Sequence, residues 1–210
     1  MKKIVLITFC SLIYIITNAQ IINEKDNDII EKIKTGNSKY ATLTSNFKQI
    51  KHISILGEDI ISSGEMNYNK PDQLSMKYVD PSGDLMLING EKFVMVSGGK
   101  RNETTSKINA KMRGMKTILS ACLEGDIKKM EAQKIYCEET EEHYIIIAEI
   151  NTKSNKSNIS KVISSYNKKD FSICILQTIE PDGSFITYEL DNKKLNHPIS
   201  QDYFLAKGNK

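Results

Sequence analysis

Residues 64–96 read GEMNYN KPD QLSMKYV DPSG DLMLI NG EKFVMV, and the alternation inside this stretch decides the fold. Met66 and Tyr68 alternate with Glu65 and Asn67; beyond Lys70-Pro71-Asp72, Leu74, Met76 and Tyr78 alternate with Gln73, Ser75 and Lys77. A period of two puts apolar side chains on one face of a pleated strand and polar ones on the other, so each run reads as a half-buried strand. Asp80-Pro81-Ser82-Gly83 and Asn89-Gly90 are turn signals, and the second sets a tight hairpin between residues 85–88 and 93–96. In that hairpin Leu85 and Leu87 point one way and Met86 and Ile88 the other, which predicts a strand covered on both sides.

The same pattern extends in both directions. Upstream, Leu43, Ser45 and Phe47 alternate with Thr42, Thr44 and Asn46 before a turn at Gly57. Residues 20–38 read instead as a helix, with Ile22, Ile29, Ile30 and Ile33 on one face and Gly36-Asn37 as the stop signal. Downstream of Ser97-Gly98-Gly99, the residues Ile108, Met112, Met115, Ile118, Leu119, Cys122 and Leu123 form one helical stripe that ends at Gly125. Strands resume at 134–138, 144–151, 161–166, 172–179 and 185–190, with 154–160 as a polar hairpin tip and Asp182-Gly183 as the last turn. The order predicts a mainly β domain with two helices: about ten to eleven meandering antiparallel strands. A doubly wound α/β fold is excluded, because parallel strands need a crossover helix each. So long a sheet curls through its own twist, and its concave face must be filled. The apolar helix at 108–123 is the natural lid.

The 210 residues carry 29 Lys+Arg against 26 Asp+Glu, a net charge of +3, too balanced for a general nucleic-acid binder. Lys2-Lys3, an apolar run over 4–16 and a small residue at Ala19 read as a secretory signal, too short to span a bilayer. Residues 20–210 are then one exported, soluble domain of the periplasm. Of its three cysteines, Cys122 and Cys137 are the favoured disulfide pair, with Cys174 free; three buried thiols without a bridge are the alternative. No GxSxG, HExxH, P-loop or GxGxxG motif occurs, and His52, His143 and His197 are scattered, so neither an enzyme nor a metal or cofactor site is expected. What remains is an apolar interior rich in methionine, whose flexible thioether suits variable apolar shapes: Met66, Met76, Met86, Met95, Met112 and Met115.

The segments Thr44-Ser45-Asn46-Phe47-Lys48-Gln49, Gly64-Glu65-Met66 and Lys70-Pro71-Asp72-Gln73-Leu74-Ser75-Met76-Lys77-Tyr78 resemble the periplasmic lipoprotein carrier family, LolA, in a Bacteroidetes-type version. Leu87-Ile88-Asn89-Gly90-Glu91-Lys92 and the ending Pro198-Ile199-Ser200-Gln201-Asp202-Tyr203-Phe204 continue the likeness. The resemblance implies an unclosed antiparallel barrel whose concave side is plugged by helices. It implies a monomeric carrier that takes the acyl chains of outer-membrane lipoproteins from an inner-membrane ABC transporter and passes them to an outer-membrane acceptor. The expected acyl cavity comprises Phe47, Met66, Tyr68, Leu74, Met76, Tyr78, Leu87, Met95, Met112, Met115, Ile118 and Leu119. Lys70 stands where the family has an Arg that holds the lid shut; Lys offers a point charge in place of a planar fork. Other readings of the same residues are a lipid-binding or lipoprotein-sensing module without transfer, a structural interaction protein whose lid is merely core, and a hydrolase.

Overall fold

The computed structural model describes residues 22–205 apart from 106, 108, 154 and 155. The proposed signal segment and Ile108 lie outside the described residues. Helix α1 (Glu24–Asn37) begins where Asn23 accepts a 2.8 Å hydrogen bond from the Asp26 N–H, with Glu24 and Asp26 in the first turn. Both features favour a helix start, through a satisfied amide and through the positive end of the dipole. The helix buries Ile29, Ile30 and Ile33, the face its spacing predicts.

Six strands follow: β1 (Thr42–Ile53), β2 (Glu58–Asn69), β3 (Gln73–Asp80), β4 (Leu85–Asn89), β5 (Lys92–Ser97) and β6 (Lys100–Thr105). Helix α2 (Ala110–Glu124) leads through a short 3₁₀ turn (Ile127–Met130) to β7 (Lys134–Glu139). The remaining strands are β8 (His143–Glu149), β9 (Lys161–Asn167), β10 (Ile173–Ile179) and β11 (Phe185–Leu195). All eleven form one antiparallel sheet in the order β6-β5-β4-β3-β2-β1-β11-β10-β9-β8-β7. Only β1 and β11 join across a long sequence gap, so the sheet is two meanders sewn together there. The end strands β6 and β7 do not pair, and the barrel stays open.

Strand β6 has no counterpart in the alternation. Its sequence, KRNETT, is polar throughout because it is an exposed edge, where charged side chains discourage pairing with other chains. Gly36 also departs from its expected role. The helix runs on to Asn37 and its cap, Ser38, is right-handed. Gly36 instead makes room for Phe171, whose ring would lie 2.1 Å from a Cβ at that position. Gly64 has the same kind of duty: a Cβ there would stand 2.1 Å from the Lys77 carbonyl oxygen and 2.8 Å from the Phe47 ring. Only at Gly125, the α2 cap with φ +67, does a glycine end a helix as the sequence suggests.

Burial sorts the sheet into two faces. The concave one carries the main core, including Leu43, Phe47, Met66, Tyr68, Leu74, Met76, Met86 and Ile88, with α1 and α2 packed into it. A smaller cluster of Leu87, Val94 and Phe204 sits on the other face, flanked by Leu85, Val96 and Ile199. The strand β4 is therefore covered on both sides, as its double apolar pattern demands.

The favoured Cys122–Cys137 disulfide does not form; Cys122, Cys137 and Cys174 are all free. Cys122 is wholly buried between α2 and the sheet, where the Tyr166 hydroxyl donates to its carbonyl at 2.8 Å. Cys137 lies on β7 against α1, its thiol 3.5 Å from the Asp26 carbonyl oxygen. Burial pushes each of these thiols up to about 12, so both behave as small apolar groups.

Candidate functional site

The concave face is an apolar trough closed by α2. Met66, Leu74 and Met76 from β2 and β3 face Leu119 and Leu123 from α2 across a void of about 20 Å³. Ile173, Leu176, Tyr188 and Leu190 of β10 and β11 complete its wall. A void that size holds about one water molecule and no acyl chain. The trough is filled by the helix itself.

Ten of the twelve expected cavity residues meet there. Phe47, Met66, Tyr68, Leu74, Met76, Ile118 and Leu119 are buried in the main core, and Tyr78, Met112 and Met115 pack against it partly exposed. Leu87 does not: pleating turns it to the opposite face, under Phe204. Met95 shares the face of its partner Met86 but sits on β5 near the open edge, 37% exposed. The wall from β10 and β11 escaped the sequence reading. Its alternation is broken by a register shift between Ile173 and Ile175, so Leu176 rather than Ile175 points inward.

Aromatic rings line one part of the trough. Phe47 meets Tyr78 edge-on at 5.0 Å and Tyr188 at 6.1 Å, and Tyr78 donates a 2.6 Å hydrogen bond to the side chain of Gln49. Burial raises the pKa of both tyrosine hydroxyls, which stay neutral at any physiological pH.

Helix α2 is held unevenly. Its second half, Ile118 to Leu123, is deeply buried, whereas the first half is only partly covered. Tyr166 grips the Cys122 carbonyl, and Glu124 pairs with Lys129 at 2.6 Å and lies 3.4 Å from the Tyr68 hydroxyl. Toward the start, Lys116 reaches the Gly90 carbonyl at 2.6 Å. The helix is thus pinned at its end, beside the left-handed Gly125, and lightly tied at its beginning.

Lys70 does not bond to α2. Its ammonium donates at 2.6 Å to both the carbonyl and the side-chain oxygen of Asn37, at the end of α1, and stands 3.8 Å over the Tyr40 ring. Burial lowers its pKa to about 8, against the opposite pull of the Glu124 charge. Among the described residues of α2, the Glu124 carboxylate is the one group to which Lys70 is electrostatically tied.

The family model described as outer membrane lipoprotein carrier protein LolA matches residues 38–207. The chain belongs to the LolA family. No curated protein matches it. Solved structures of similar fold include an uncharacterized conserved protein from Thermus thermophilus, at 4% identity and TM-score 0.54, over 89% of this chain and 96% of that one. The MucA/MucB complex of Pseudomonas aeruginosa is similar at 6% identity and TM-score 0.50, over 87% and 61%. A LolA superfamily protein from Nitrosomonas europaea follows at 9% identity and TM-score 0.43, over 86% and 97%. At these identities the likeness to the first two is one of fold alone. No helix among the described residues is long and apolar enough to cross a membrane.

Proposed function

We propose that this LolA-family chain is a periplasmic carrier that shelters the acyl chains of lipoproteins between α2 and the concave sheet. In this reading a signal ending at Ala19 exports it, an inner-membrane ABC transporter loads it, and an outer-membrane acceptor unloads it. The observation that supports it is the way the trough is filled. The plug is one amphipathic helix, fixed at one end and lightly held at the other, over a wall of Met and Leu side chains.

The energetics require such a device. Each acyl CH₂ kept from water is worth about 0.8 kcal/mol, so a chain of about fourteen carbons costs on the order of 10 kcal/mol to expose. A passive carrier must offer a comparable surface without holding it too tightly. Acyl chains that take the place of Met112 and Met115 on the core trade one apolar contact for another, so loading and release run near balance.

Native mass spectrometry of the chain purified from its host periplasm tests the reading: the expected spectrum shows adducts carrying fatty acyl groups. Leu74→Glu places a charge on the wall and should remove those adducts. The variant's thermal melt is recorded alongside, because a buried carboxylate also lowers stability. A wild-type spectrum with no acyl adduct, or adducts that persist in a folded Leu74→Glu chain, would overturn it.

A further inference from the structure

Among the described residues a second groove lies on the face opposite the proposed acyl trough, and its chemistry is different. It measures about 570 Å³, within the range of about 300–1,000 Å³ usual for ligand sites. Thr44 and Asn46 of β1 and Glu65 and Asn67 of β2 form its floor. These residues alternate with the inward-facing Leu43, Phe47, Met66 and Tyr68, which fixes them on the convex side.

Its roof is the segment 197–204. The Thr42 hydroxyl donates to the His197 carbonyl at 2.8 Å, and the Gln73 side chain to that of Gln201 at 3.1 Å. Phe204 is buried against Leu87 and Val94, and its carbonyl accepts from Asn89 at 3.1 Å. Pinned at both ends, this strap is a fixed wall, and a fixed wall loses little entropy on binding.

Three features mark the groove as a site. Asn67 is 8% exposed, yet its carboxamide has no hydrogen-bond partner among the described residues. Its amide atoms are not sealed from solvent, so what satisfies them is water or a ligand in the groove that the residue lines. Second, the side chains of Thr44, Asn46, Glu65 and Lys194 around it also make no hydrogen bond or ion pair among the described residues. Third, β11 bulges at this point: Thr44 pairs with Lys194 and Asn46 with Asp191, and Asn192 takes a left-handed φ of 49°. Bulges re-aim side chains and gather beside functional sites, and this one turns Asn192 into the groove.

We infer that the groove between the convex β1–β2–β11 surface and the C-terminal strap binds a saccharide. An acyl chain is disfavoured because polar residues outnumber Met66, Pro198, Ile199 and Tyr203 in the lining. Charge is balanced between Glu65 and Lys194, which disfavours a strongly ionic ligand. A peptide cannot add as a strand, because β1, β2 and β11 are interior strands already paired on both sides. Amides, a carboxylate and a hydroxyl on a rigid surface supply the paired donors and acceptors that sugar hydroxyls require. The Tyr203 ring, 44% exposed at the groove, offers the flat apolar face on which a pyranose C–H surface stacks.

The test is an array of neutral and N-acetylated oligosaccharides probed with the full mature chain, followed by calorimetric titration of the best binder. Binding with a Kd below about 1 mM is expected. Asn67→Leu and Tyr203→Ala should each weaken it at least about tenfold while leaving acyl adducts in native mass spectra unchanged. Tyr203 is exposed, so its variant reports even if Asn67→Leu does not fold. No binding across the array, or equal affinity in Tyr203→Ala, would overturn the inference. Loss of acyl adducts together with saccharide binding would also overturn it, because the two sites would then be one.

Discussion

Lys70 follows β2 at the turn that meets the end of α1, and its surroundings pull in opposite directions. Asn37 gives it two short acceptor contacts and Tyr40 a ring face, while burial disfavours its charge and lowers its pKa to about 8. An ordinary lysine titrates near 10.4, so between about pH 8 and that value the unfolded chain holds a proton that the folded chain has released. Stability then rises with pH across this window; below about pH 8 both states are protonated and the burial cost is constant. Lys70→Met removes the titration. Near neutral pH it should cost about 1–2 kcal/mol through the lost charge-assisted hydrogen bonds. Melting temperatures compared from about pH 7 to about pH 9.5 should show the wild type gaining on the variant as pH rises. Readings stop there because Tyr40 and Tyr68, whose pKa values are raised by burial, add the opposite slope once unfolded tyrosines ionise. A constant difference would mean that Lys70 keeps its ordinary pKa in the fold.

At the scale of elements, α2 is where stability and function meet. Its second half is buried and its first half partly covered, so the proposed opening is a swing about the Gly125 end rather than an unfolding of the helix. A disulfide between the first two turns of α2 and the β4–β5 turn, at a pair with Cβ atoms about 3.5–4.5 Å apart, should abolish acyl uptake. Reduction should restore it. Cys137 and Cys174 are replaced by Ser for this purpose, whereas Cys122 is too buried to interfere. Uptake that is unchanged by oxidation would refute the swinging lid. The helix itself was legible because its stripe from Met112 to Leu123 follows a 3.6 period, β1 to β3 because polar and apolar residues alternate there, and β4 and β5 because Asn89-Gly90 turns between two apolar runs. Strand β6 was illegible because an exposed edge has no apolar face to display. The β10 and β11 wall was obscured by a bulge, which breaks the period of two. Leu87 was assigned to the trough because a strand buried on both sides carries no sign of which face is concave. The partner of Lys70 lies 33 residues upstream, and only the packing of α1 brings Asn37 there.

For the molecule as a whole, the decisive feature is that the sheet is open. With β6 and β7 unpaired, the trough can widen between them without breaking a ladder hydrogen bond, and the segment that bridges this gap in sequence is α2 itself. A closed barrel would need to rupture a strand pair to admit the same volume. The driving force for filling the trough is then the burial of apolar surface, and charge has little part in it. The whole chain carries only +3, and the side chains that face the void are uncharged. Screening therefore has little to act on. Acyl uptake from detergent micelles, followed by displacement of a fluorescent fatty acid, should change by less than about twofold between about 50 mM and about 500 mM sodium chloride. It should fall sharply when a charge replaces Leu119 on the proposed lid, because that side chain lines the apolar void under α2. A steep loss of uptake with salt would instead place recognition in charged groups outside the trough, and α2 would then be a core helix with no part in binding.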